Sequence, residues 1–143
     1  MPIRVDFYLL TTTQPQSEQL VACRLLEKAY LRGHQVFVQC EHRDNALSLD
    51  NLLWTFKEDS FIPHSMQEEQ LDSTPTIQIG CRTETPPNSK DILFNMAASI
   101  PPYFLQFQRI IEIVSANDEA KQISRRHYRE YKNNHCEIHT HSI

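Results

Sequence analysis

The chain has 143 residues, enough for one domain with a core of its own, and 14 Lys and Arg against 18 Asp and Glu give it a net charge of −4. No apolar run reaches the roughly 18 residues that a membrane span needs, and Met1-Pro2-Ile3-Arg4-Val5-Asp6 lacks the core of a signal peptide, so a cytoplasmic location is expected. Two glycines, Gly33 and Gly80, spell neither G-x-x-x-x-G-K-[ST] nor G-x-G-x-x-G, which excludes the usual phosphate-cradling loops.

Val5-Asp6-Phe7-Tyr8-Leu9-Leu10 reads as a buried first strand. A helix follows from Pro15 or Gln16 to Arg32, with Ala22, Leu25, Leu26 and Ala29 on one stripe and Gly33 as its stop. Gln35–Cys40 is a second strand, and Arg43 to Phe56 a second helix with Ala46, Leu49, Leu53 and Phe56 on one face. Strand, helix, strand, helix with short connections predicts parallel βαβ units. A loop is expected over about 57–74, then strands at Thr76–Gly80 and Asp91–Asn95 around a turn at Pro86-Pro87-Asn88-Ser89. A short helix near 101–108, a strand at Ile110–Val114 and a last helix from Asp118 to Lys132 complete the fold. Residues 133–143 are polar and His-rich and are expected to fray.

The last helix gathers charge. Lys121 to Lys132 (KQISRRHYREYK) holds five basic residues and one acid, so its net +4 leaves −8 on everything else. Ala120, Ile123, His127 and Tyr131 form a stripe for packing, while Lys121, Arg125, Tyr128, Arg129 and Lys132 lie on the adjoining face. Three readings fit: a solvated basic face, a nucleic-acid contact opposed by the surrounding negative charge, or a site for an acidic peptide held at its terminal carboxylate.

Elsewhere the chain offers no catalytic constellation. Ser60 and Ser65 lack a nucleophile elbow, and His42 and His64 lack a partnered nucleophile. Cys23, Cys40, Cys81 and Cys136 form no C-x-x-C pair and read as free thiols. His135, Cys136, His139 and His141 are zinc-ligand types without a second cluster to close a site. Phe61 and Ile62 stand in a polar loop as a loop anchor or a partner contact, and the residues alone favour the anchor.

Four pieces in order, FYLL (7–10), LLWTFKEDSFIPH (52–64), DILFN (91–95) and KQISRRHYREYK (121–132), resemble the chi subunit family of the bacterial DNA polymerase III holoenzyme. The resemblance covers about residues 5 to 132, and nothing is carried over to the histidine tail. It implies one three-layer, Rossmann-like α/β domain with a mostly parallel central sheet and no nucleotide-binding loop. It also implies a non-catalytic adaptor without cofactor or metal, in a holoenzyme that is itself a DNA-directed DNA polymerase. Such an adaptor links the clamp loader, through the small subunit psi, to the acidic C-terminal tail of single-stranded-DNA-binding protein, and touches DNA only indirectly. Lys121, Arg125, Tyr128 and Arg129 match the family's tail-binding residues, with Val114 as apolar wall. Arg129 stands where the best-known pattern has lysine, which keeps the charge but not the geometry. Phe61 matches the aromatic that contacts psi, which reverses the preference for an anchor. The alternatives are a degenerate nucleotide-binding α/β enzyme and a direct DNA-binding module.

Overall fold

A computed structural model describes residues 2–11, 17–57, 62–66, 76–81 and 91–143. The elements run β1 (Arg4–Leu9), α1 (Ser17–Leu31), β2 (Val36–Gln39), α2 (Arg43–Thr55), β3 (His64–Met66), β4 (Ile77–Gly80), β5 (Ile92–Asn95), a 3₁₀ turn (Phe104–Gln106), β6 (Arg109–Val114), α3 (Asp118–Asn133) and β7 (Glu137–Ser142). The strands form one sheet in the order β3-β4-β2-β5-β6-β1-β7, and every pairing is parallel.

Alternation along the strands divides the core into two layers. Val36, Val38, Ile77, Ile79, Ile92, Phe94 and Ile111 pack against Ala22 and Leu26 of α1 and Ala46, Leu49 and Leu53 of α2. Val5, Phe7, Phe37, Leu93, Ile110 and Val114 face the other way, against Tyr103, Phe104 and Phe107 and Tyr131 of α3. The strands β2 and β5 are buried at all four positions, as central strands covered on both faces must be. This is the expected three-layer α/β architecture.

The helix ends follow from local chemistry. Gly33 takes a φ of 81° and closes α1, with its N–H on the Tyr30 carbonyl and the His34 N–H on that of Ala29. An added Cβ at Gly33 would meet nothing within 4 Å, so the backbone angle is what glycine serves there. Asn117 caps α3: its Oδ1 accepts the Ala120 N–H at 2.8 Å, and Asp118 and Glu119 sit in the first turn.

Three sequence expectations are corrected. The span expected as loop contains β3, which pairs with β4 from His64↔Ile77 to Met66↔Ile79. The short helix is a single 3₁₀ turn. The tail does not fray over residues 137–142: β7 pairs with β1 along its whole length, from Arg4↔Glu137 to Leu9↔Ser142. Two local features explain the last result. His135 adopts a φ of 63° and turns the chain sharply off α3, with its N–H on the Lys132 carbonyl. Cys136 and Ile138 then alternate with polar residues and pack on the α3-side core, while His141 reaches Asp6 on the other face. The expected turn at 86–89 lies outside the described residues.

Candidate functional site

The helix α3 presents two faces of different character. His127 is 5% exposed and Tyr131 fully buried, whereas Lys121, Arg125, Arg129 and Lys132 are exposed and Tyr128 is 40% exposed. Among the described residues, no carboxylate pairs with any of these four cations. The Tyr128 ring lies 6.3 Å from that of Phe7, and Lys132 Nζ lies 5.8 Å from the Tyr128 ring centroid. The exposed face therefore combines free positive charge with an aromatic surface beside β1. A desolvated carboxylate with an adjacent apolar group suits that combination.

Val114 is placed differently. It is buried at the end of β6 and lines a crevice of about 290 Å³ with Ala120, Ile123 and Ser124, not with the basic residues. The crevice opens at the carboxyl ends of β5 and β6, where a doubly wound sheet would take a nucleotide. Its lining includes Glu18, Glu41, Glu112 and Glu119, and no lysine or arginine. Phosphates would meet repulsion there. Leu9, the register partner of Val114 on β1, is 36% exposed, and the sequence gives no signal for that difference because both are aliphatic residues near the ends of apolar runs.

Beneath α3 lies a buried polar network that sequence reading also missed. Glu112 Oε1 receives His127 Nδ1 at 2.7 Å, and Oε2 receives the Tyr131 hydroxyl and, at 3.3 Å, Asn95 Nδ2. His127 Nε2 lies 2.9 Å from the Ala98 carbonyl. Burial pushes the His127 pKa down, but the hydrogen bond and negative charge of Glu112, with help from the Ala98 carbonyl, outweigh it and hold the pKa above its ordinary value. Burial pushes the Tyr131 hydroxyl far up, and the Glu112 charge adds to that, so it stays a donor.

On the opposite face of the sheet, Asp6 is fully buried yet held by Arg4, by Arg109 Nε at 2.9 Å and by His141 Nε2 at 2.8 Å. Burial alone would raise its pKa, but these partners together hold it below the usual carboxylate range. Burial pushes the Cys23 and Cys40 thiols up to about 12, which leaves them inert. His139 and His141 are drawn to Glu137 and Asp6, and among the described residues no three His, Cys, Asp or Glu side chains are grouped to hold a metal.

Phe61 lies outside the described residues. Next to it in sequence, Ile62 is buried, and Trp54 on α2 is 48% exposed with its ring 4.4 Å from that of His64.

Residues 1–139 match the family described as DNA polymerase III chi subunit, HolC. The chain is 36% identical over 129 residues to the DNA polymerase III subunit chi of Pseudomonas aeruginosa, covering 90% of this chain and 89% of that one. It is 30% identical over 131 residues to the subunit of the same name from Escherichia coli K12 (88% of each), and 28% identical over 127 residues to that of Haemophilus influenzae (89% and 88%). The chain thus belongs to the DNA polymerase III chi subunit family, accessory subunits of DNA replication.

Proposed function

We propose that this chain is a non-catalytic adaptor that joins the clamp loader, through psi, to the acidic C-terminal tail of single-stranded-DNA-binding protein. The observation that carries the reading is the exposed face of α3, where Lys121, Arg125 and Arg129 have no acidic partner among the described residues and flank the half-exposed Tyr128. Arg125 is the residue for the terminal carboxylate, since its planar fork can donate two parallel hydrogen bonds. Lys121 and Arg129 act more as point charges for the acidic residues upstream, Tyr128 flanks the last apolar side chain, and the exposed Leu9 serves as the apolar wall in place of the buried Val114. Phe61 is the proposed psi contact. The acidic crevice speaks against the rival nucleotide-binding enzyme, and the net charge of −4 against a direct grip on a long polyanion.

The test is fluorescence anisotropy with an acidic peptide in free-acid and C-terminally amidated forms, against wild type and Arg125→Ala. Losing the fork costs about 1.5–3 kcal/mol, tenfold or more in affinity. Amidation reproduces much of that loss, and the two changes together add little to either alone. Equal affinities in all four combinations leave α3 a solvated basic face. ATP binding in a calorimeter, absent on this reading, revives the rival.

A further inference from the structure

The exposed face of α3 is backed by the buried pair Glu112 and His127, whose role in binding rests on the peptide reading of that face. Both ring nitrogens of His127 face acceptors: Nδ1 the Glu112 carboxylate at 2.7 Å, Nε2 the Ala98 carbonyl at 2.9 Å. A neutral imidazole has one N–H and sets a lone pair against one of them, whereas the imidazolium satisfies both. The surroundings sharpen the choice. From β6 comes Glu112. From β5 and its following turn come the neutral Asn95, which donates to Glu112, and Ala98, whose own N–H goes to Glu41 Oε2 at 2.6 Å. On α3 itself, Tyr131 donates to Glu112 and Arg126 opposes the histidine's charge. Glu112 is 5% exposed, so without the imidazolium its charge is buried with only neutral donors.

Successive helix residues turn by roughly 100°, so Arg125 and Arg129, each two positions from His127, point away from the sheet, and Tyr128 points to the flank. A clamp at His127 therefore fixes the rotation of α3 and with it the direction of all three side chains. We propose that Glu112 and His127 are a positioning pair, that they hold the peptide face of α3 in place while His127 carries both protons, and that capture of the acidic peptide is thereby coupled to one proton. When the second proton leaves, Tyr131 and the apolar contacts keep α3 on the sheet, but its rotation loosens and the cation beneath the site is gone. By reciprocity, bound peptide must tighten the hold of His127 on its proton by the same factor.

The test measures affinity for an N-terminally labelled, free-acid acidic peptide from about pH 6 to about pH 9 at constant ionic strength, a range that spans the titration of a histidine. Wild type weakens about fivefold or more across that range, the low end of typical coupling between sites. His127→Arg, which keeps charge and donors, holds the low-pH affinity throughout. His127→Gln is weak and flat, and it also controls for the histidines of β7. NMR titration of the His127 ring, with and without peptide, shows the pKa rising on binding, and needs no variant to fold. A flat wild-type profile, a retained slope in His127→Gln, or a His127 titration that peptide leaves unmoved overturns the coupling while the peptide reading stands. Wild type that binds no peptide at any pH overturns both.

Discussion

Leu9 and Val114 are register partners at the ends of β1 and β6, on the same face of the sheet, yet Leu9 is 36% exposed and Val114 only 5%. The helix α3 begins just past β6, and its Ala120 and Ile123 line a crevice with Val114, while Leu9 stands on β1 two residues beyond Phe7, whose ring lies 6.3 Å from that of Tyr128. The two side chains therefore separate binding from folding. Leu9→Ala weakens the acidic peptide severalfold with an unchanged melting temperature. Val114→Ala costs on the order of 2 kcal/mol of stability, as for loss of a buried aliphatic group. Anisotropy and thermal melts on both variants check this, and unchanged binding by Leu9→Ala moves the apolar wall elsewhere.

The Glu112–His127 pair also carries a stability signature. The folded-state pKa of His127 is raised above its ordinary value of about 6.5. Its contribution is thus fully present below that value and is lost as pH rises through the folded pKa. Glu112→Gln leaves the imidazolium buried without its partner and costs about 3–5 kcal/mol at acidic pH, less at alkaline pH. Urea unfolding of both proteins on either side of the window gives the difference. Equal losses at both ends would mean that the pair contributes no charge-dependent stability.

Deleting residues 134–143 removes β7 and the His141 contact to Asp6. The strand β1 then becomes a bare edge next to a hydrophobic core, a template for association. The shortened protein melts lower than the full chain and elutes as oligomers in size-exclusion chromatography. A monomer with an unchanged melt would make β7 an ornament.

Phe61→Ala tests the proposed psi contact. It is expected to cost on the order of 2–4 kcal/mol in association with psi, the range for a central aromatic anchor. Peptide affinity stays the same, since Phe61 lies in the α2–β3 connection, far in sequence from α3. A variant that melts low and binds psi normally makes Phe61 an internal anchor instead.

The regular elements were legible where periodicity was strong. Ala22, Leu26, Ala46, Leu49 and Leu53 announce α1 and α2, and both helices pack as their stripes require. The strand β3 was not legible, because His64 and Ser65 look polar. The protein buries His64 by setting its ring nitrogens against the Ile62 and Asp50 carbonyls, a tertiary solution invisible in a string of letters. The strand β7 was missed for a related reason: it has few apolar residues, and its order comes from β1 and Asp6 at the far end of the chain. The basic face of α3 could be read from spacing alone. Its buried counterpart could not, since Glu112 sits in a strand otherwise apolar between Ile110 and Val114, and nothing local says which histidine it meets.

The place of β1 in the sheet also orders the birth of the protein. The first strand made is flanked by the last two, β6 and β7, whereas β2, β3, β4 and β5 with α1 and α2 are neighbours that emerge earlier. On the ribosome the β3-β4-β2-β5 half can assemble while β1, with Val5 and Phe7 uncovered, waits for β6 and β7. A chain that stalls before β6 leaves two sticky surfaces at once, the idle first strand and the open side of β5. Such truncated products are natural clients for chaperones and proteases.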